Sequence, residues 1–302
     1  LRELVTTSVI LDIKRGRPVV HVNFLGYDEQ AHRRGPDSAF AHWTLRGIDD
    51  AIRRIGAAAR DNGGAYALWV YSDHGQESAI PFARAHGCSL RKAVTELARS
   101  YGILPSGMAE VPSDIQLRRF GLLARGSVKH TENGRHAPSL AKDNAVQVIA
   151  VGSVGHIYFR HKLAWRRRVV LARDLVTRLG VPLVLSRDSM GKVHVWSERG
   201  DFRLPDQAHE VLGGDHPFVV ETARDLAGLV RHPDAGAIVV CGWRPRGKPL
   251  TFAAENGAHG GPGAMETHAF ALLPEGTVPG TSPIRHIRPL QLRQAALRFL
   301  GR

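Results

Sequence analysis

The sequence predicts an α/β protein with a mostly parallel, doubly wound sheet and helices on both of its faces. Two apolar runs, at 18–25 and 67–71, have the β-branched character of buried parallel strands. Between them, residues 40–59 place apolar side chains at helical spacing, and the segment 61–64 (DNGG) ends that helix. Ligand-type residues follow each apolar run, and doubly wound sheets bind their ligands beyond the carboxyl ends of the strands.

We expect a single domain over residues 1–302 with an inserted lobe or cap at about 78–144. The stretch 102–138 is rich in glycine, proline and basic residues, which indicates a long functional loop. A helix is predicted within the lobe at 90–100. The other predicted elements are strands at 145–151, 155–159, 181–186, 192–197 and 237–242, and helices at 163–179 and 222–230.

The charge balance favours anionic partners. The chain has 41 Lys+Arg against 28 Asp+Glu, a formal net charge of +13. The excess is scattered, so an arginine-rich solvated surface is the other interpretation, and the run at 166–168 is too short to predict specific nucleic-acid binding. Cys88 and Cys241 form no disulfide framework, and no apolar run approaches the roughly 18 residues of a membrane span.

Three short motifs carry residues that Zn²⁺ accepts as ligands, namely carboxylates and imidazoles. Asp28 and His32 are spaced i,i+4, so a helical turn after Gly26 places both on one face. Asp73 and His74 follow the second apolar run, where a turning chain lets both point at one ion. The alternative for the first motif is a surface turn whose Asp caps the next helix. The alternative for the second is a strand-end Asp that caps the following turn, with a solvated His.

His259 is the third motif, between Asn256-Gly257 and Gly260-Gly261. Glycine on both sides lets the backbone pass close to a ligand. The alternative is a flexible hairpin tip with an incidental His. Five ligands from three loops exceed the needs of one tetrahedral zinc and suit a two-metal site.

Together the motifs resemble the alkaline phosphatase superfamily, and most closely its type I phosphodiesterase/nucleotide pyrophosphatase branch. The resemblance lies in an Asp-x-x-Gly-His-x-x-Gly-Pro box, a Ser-Asp-His-Gly box and a late His-Gly element. In this chain these are DEQAHRRGP, SDHG and AHGGPGAMETHAF, with Ala31 where Gly is usual. The resemblance covers most of the chain and implies an alkaline-phosphatase-like fold.

The resemblance implies that Asp28, His32 and His259 hold one Zn²⁺ and that Asp73 and His74 hold a second, with Mn²⁺ as an alternative metal. It implies hydrolysis of an anionic phosphate ester, a phosphodiester or nucleotide pyrophosphate, by two-metal in-line displacement. The alternatives are a sulfatase or phosphate-group transferase of the same superfamily, and a non-catalytic metal-binding remnant.

The resemblance also implies a Thr or Ser nucleophile on the first strand of the sheet. Residues 1–27 contain no Asp followed by a Thr or Ser at a helix start. We therefore expect that the nucleophile lies upstream of Leu1 and that this chain is N-terminally truncated and inactive. For the longer protein we expect an extracytoplasmic or membrane-associated location, set by that upstream sequence. The rival nucleophiles are Thr6 and Thr7.

Four further residues are weaker site candidates. His156 is predicted to be a strand-end histidine, and His216 lies in a turn. Glu266 and His268 follow the His259 loop, where they could orient a ligand without binding the metal.

Overall fold

The computed structural model describes residues 1–63, 66–103, 146–277 and 286–301. The chain divides into two compact units. The first unit comprises Leu1–Ser78, Asn256–His259 and Ala264–Arg302, and the second comprises Ala79–Glu255 and Gly260–Gly263. The stretch 104–145, where most of the predicted lobe falls, lies outside the described residues, so the lobe stays a prediction.

The first unit contains four helices and four two-residue strands among its described residues. The helices are α1 (Arg2–Lys14), α2 (Gly26–Arg34), α3 (Ala39–Asp61) and, at the end of the chain, α9 (Pro289–Phe299). The strands are β1 (Val70–Tyr71), β2 (Glu77–Ser78), β11 (Gly257–Ala258) and β12 (Ala271–Leu272). Strand β1 pairs with β12 and β2 pairs with β11, both antiparallel.

Helix α3 is the longest helix of the first unit, and two others pack on it. It begins where the Ser38 hydroxyl accepts the Ala41 N–H at 3.2 Å, which satisfies one of the free donors of its first turn. Its buried face includes Ile48, Ala51 and Ile55, at helical spacing as the sequence predicts. Both α1 and α2 pack on it.

The predicted strand at 18–25 is wrong, because the structure forms no strand ladder there. Alternate residues of this segment nevertheless pack against a cluster of α1 and α3 side chains; they are Val20, Val22 and Phe24. Val19 and Leu25 are 57% and 54% exposed. The apolar alternation therefore reflects packing of an extended segment on helices. Of the run at 67–71, only Val70–Tyr71 is a strand.

The second unit is built around a six-stranded sheet in the order β4-β5-β9-β6-β7-β8. Its strands are β4 (Val146–Val151), β5 (Val154–Phe159), β6 (Leu183–Arg187), β7 (Val193–Ser197), β8 (Gly200–Leu204) and β9 (Ile238–Cys241), with a separate parallel pair of β3 (Ile80–Pro81) and β10 (Leu250–Thr251). The helices are α4 (Phe82–His86), α5 (Leu90–Ser100), α6 (Trp165–Thr177), α7 (Ala208–Leu212) and α8 (Val219–Arg231).

A mixed α/β architecture is confirmed, but the predicted parallel, doubly wound sheet is not what the structure shows. All five pairings of the six-stranded sheet are antiparallel. Helices α5 and α6 cover one face, in contact with side chains such as Val184 and Val240. Their sequence neighbours Leu185 and Val239 are equally buried, and α8 contacts β6, β7 and β8. A sheet covered on both faces has apolar strands whichever way they run.

Within the described residues, no helix combines the length and the apolar composition that crossing a membrane requires.

Candidate metal centre

Helix α2 carries the first two predicted ligands on one face. Asp28 lies in its first turn and His32 in its last, one turn apart, as the i,i+4 spacing requires. The Oδ1 atom of Asp28 is buried, and the His32 Nε2 atom lies 3.3 Å from it. Ala31, which stands where Gly is usual, is fully buried.

His259 is brought to α2 by the pairing of β11 with β2. Ala258 is the register partner of Glu77, three residues after His74, so the pairing places the His259 loop beside the Ser-Asp-His-Gly box. The His259 Nε2 atom lies 3.5 Å from the same Oδ1 of Asp28. Its ring stacks on that of His74, with centroids 3.6 Å apart.

The Ser-Asp-His-Gly box is held in place by residues 265–272. Ser72 donates its N–H to the carbonyl of Phe270 at 3.0 Å, and Gly75 donates its N–H to the carbonyl of Glu266 at 2.9 Å. A Cβ on Gly75 would lie 2.0 Å from the Met265 carbonyl oxygen, so only glycine fits there. Glu266 and His268 thus support the box at least through their backbone.

The Glu77 carboxylate holds the same turn from the other side. Its Oε2 accepts the N–H of Met265 at 2.9 Å. Burial raises the pKa of Glu77, against the lowering effect of the Met265 and Glu266 N–H groups.

Two histidines have their ring orientation fixed by backbone carbonyls. The Nδ1 of His32 lies 2.9 Å from the carbonyl oxygen of Gly257, and the Nδ1 of His74 lies 2.8 Å from that of Gly75. A carbonyl can only accept, so Nδ1 carries the proton in both rings. The lone pair of each neutral imidazole is then on Nε2, the arrangement that metal-binding histidines adopt.

The electrostatics of Asp28 agree with a site that gathers positive charge. Burial acts to raise the pKa of Asp28, but the neighbouring imidazoles of His32, His259 and His74 outweigh it, so that the pKa is lowered. The carboxylate therefore stays ionised, as a metal ligand must be.

The donor separations fit a metal ion. Ligands about 2.0–2.1 Å from a tetrahedral zinc lie about 3.3–3.5 Å from one another. The distances from Asp28 Oδ1 to the two Nε2 atoms are 3.3 and 3.5 Å, longer than the roughly 2.7–2.9 Å of a charge-assisted hydrogen bond. The ligand atoms of Asp28, His74 and His259 all lie within 4.8 Å of one another.

Asp73 is placed differently from the other four predicted ligands. Its side chain is 75% exposed, and its Oδ2 lies 3.5 Å from His74 Nε2, again the separation of two ligands of one ion. Its other oxygen accepts the His74 N–H at 3.1 Å. The structure thus groups Asp28, His32, His74 and His259 closely and puts Asp73 at the solvent side of His74.

The remaining histidine candidates are engaged elsewhere. His156 accepts the Gly236 N–H through Nδ1 at 3.2 Å, within the second unit. His216 is buried; its Nε2 donates to the Pro262 carbonyl and its Nδ1 accepts the Phe218 N–H. Burial lowers the pKa of both. These two rings are structural.

These features define a mixed α/β protein with a candidate metal centre made of a half-buried carboxylate and imidazoles. The chain belongs to the type I phosphodiesterase/nucleotide pyrophosphatase family, whose model matches residues 6–158. The matched range contains Asp28, His32, Asp73 and His74, whereas His259 lies outside it and is placed beside them by the pairing of β11 with β2. No curated protein matches the chain. The family acts on phosphate esters, and the α/β architecture is consistent with an alkaline-phosphatase-like fold.

Proposed function

We propose that this protein is a zinc-dependent phosphodiesterase or nucleotide pyrophosphatase with a two-metal site. The observation that carries the proposal is the convergence of Asp28, His74 and His259 from three separate segments. Asp28, His32 and His259 would hold one ion, and Asp73 and His74 the other. Two zinc ions would supply charge neutralisation at the phosphoryl oxygens of an in-line displacement.

The protein residues have separate tasks in this scheme. The carbonyls of Gly257 and Gly75 keep His32 and His74 in the tautomer that presents the Nε2 lone pair, and an ion bound to Nε2 would leave neither ring available as a general base. The Asp28 carboxylate, whose Oδ1 atom is buried, supplies negative charge where the imidazoles supply none. The net charge of +13 favours approach of an anionic ester.

We further propose that the attacking hydroxyl is supplied by sequence upstream of Leu1, which would also carry any membrane attachment or export signal. The structure argues against Thr6, because that residue is fully buried in α1 and its hydroxyl donates to the Arg2 carbonyl at 2.9 Å. A nucleophile must reach the phosphorus, and a buried hydroxyl engaged within its own helix cannot do so.

The test of the function compares three chromogenic esters in a protein that includes the upstream sequence: bis-p-nitrophenyl phosphate, p-nitrophenyl phosphate and p-nitrophenyl sulfate. We expect fastest turnover of the diester, loss of turnover with a chelator, and recovery on adding Zn²⁺. Faster turnover of the sulfate would make the protein a sulfatase. Turnover unaffected by thorough metal removal would contradict the proposal.

A Thr6→Val variant of the same longer protein should keep its turnover of the diester. Valine has the shape of threonine, and the structure shows this hydroxyl bonded within α1. The free energy of unfolding should change by about 1 kcal/mol or less. Thr7→Val, at an exposed position of the same helix, tests the second rival nucleophile and should also keep turnover. Loss of turnover in either variant would place the nucleophile on α1.

A further inference from the structure

Asn256 joins the His259 loop to the carboxyl end of helix α2. Its N–H donates to the carbonyl of His32 at 2.7 Å, and its side-chain Nδ2 donates to the carbonyl of Arg33 at 2.7 Å. The last four carbonyls of a helix have no partner within the helix. A single residue from a remote segment therefore satisfies two of the four on α2.

A third hydrogen bond runs in the opposite direction. His32 Nδ1–H donates to the carbonyl of Gly257, the residue after Asn256, at 2.9 Å. Gly257 also packs closely on α2, since a Cβ there would lie 2.4 Å from the Ala31 carbonyl oxygen. The segment 256–257 thus has a fixed register against the last turn of α2.

This register decides where two ligand-bearing segments meet. Asp28 and His32 belong to α2, and His259 follows Asn256 by three residues. Rotation or sliding of the 256–259 segment would change the 3.5 Å separation of His259 Nε2 from Asp28 Oδ1. It would also release the Nδ1 partner of His32, and with it the orientation of Nε2.

We infer that Asn256 is a positioning residue of the metal centre, acting through His32 and His259 without binding the ion. The inference rests on the proposed function, because it assumes that these histidines hold a metal. The Asn256 amide is thus expected to affect metal affinity as well as the stability of the fold.

The chain offers a matched control in Asn62. Its Nδ2 donates to the carbonyl of Ile13, at the end of α1, at 3.2 Å. It is the same amide-to-carbonyl bond at a helix end in the same unit, between elements that carry none of the proposed ligands. Asn62→Ala should lower the midpoint of denaturation and leave metal binding unchanged.

The experiment titrates Co²⁺ into the metal-free wild type, Asn256→Ala and Asn62→Ala, with visible absorption as the readout. Co²⁺ replaces zinc, and the intensity of its absorption depends on coordination geometry. We expect Asn256→Ala to weaken Co²⁺ affinity about 10- to 100-fold and to change the spectrum, as loss of groups that orient metal ligands does. Asn62→Ala should match the wild type in both.

Unchanged affinity and spectrum in a folded Asn256→Ala protein would overturn the inference while leaving the metal site intact. If the alanine variant does not fold, Asn256→Asp keeps the shape and the backbone N–H and removes the donor, and the same criterion applies. A wild type that binds no Co²⁺ would remove the proposed function itself, an outcome that the titration separates from failure of Asn256 alone.

Discussion

Replacing Asp28 by Asn is expected to reduce diester turnover more than about 100-fold, because the loss of a direct ligand exceeds the roughly 10- to 100-fold cost of removing a group that only orients one. Asparagine keeps the shape of the side chain and removes its charge. Two imidazole Nε2 atoms lie within 3.5 Å of Asp28 Oδ1, which puts this carboxylate at the centre of the cluster. Metal content of the purified variant, measured by mass spectrometry, should fall by one zinc per chain.

The contrast with His74→Ala separates one metal site from two. If the ligands divide as proposed, Asp28→Asn and His259→Ala lose the same ion, and His74→Ala loses the other. The close approach of His74 to His259 permits a simpler result, in which one ion is shared by Asp28, His74 and His259. Loss of all bound zinc in each of the three variants would favour that single site. Far-ultraviolet circular dichroism of each variant checks that folding is retained.

The proximity of Asp28 and His32 could be predicted from the sequence because it is local. Asp28 and His32 share a helix face through their spacing, and α2 forms over that segment. The element boundaries of α3 and α5 were also predictable, since apolar periodicity and the serine caps Ser38 and Ser89 are local signals.

The direction of the strands could not be predicted in the same way. Runs such as Ile238–Cys241 are buried on both faces, and this makes them continuously apolar in a parallel or an antiparallel sheet alike. The extended segment at 18–25 has the alternation of a strand without a strand as its partner. In both cases pairing depends on residues far away in the sequence.

The residues that hold the candidate site in position were the hardest to predict from the sequence. Asn256 bonds to residues 223 and 224 positions before it, and no local pattern marks an asparagine as the cap of a distant helix. The glycine of the Ser-Asp-His-Gly box is visible in the sequence as part of the motif. Glycine is required there because the Met265 and His268 carbonyls approach it closely, and this approach is seen only in the folded chain.

Gly75→Ala is the substitution expected to damage stability and function together. An added Cβ would lie 2.0 Å from the Met265 oxygen and 2.6 Å from the His268 oxygen, and both are backbone atoms that cannot rotate away. The backbone must shift, at a cost of about 3 kcal/mol in the free energy of unfolding. His74, whose ring bonds to the Gly75 carbonyl, moves with it. A displacement of about 1 Å can lower a rate about 100-fold.

Gly56→Ala is the matched control, in the same unit but inside α3. Its Cβ would meet Leu68 at 3.5 Å and Arg60 at 3.6 Å, ordinary contact distances. Alanine in a helix interior should raise the free energy of unfolding by about 0.5–1 kcal/mol. Urea denaturation measures both variants, and turnover is compared under conditions where each is folded. If Gly75→Ala were as stable as the wild type and kept its zinc, the close backbone packing around His74 would not be what holds that ligand.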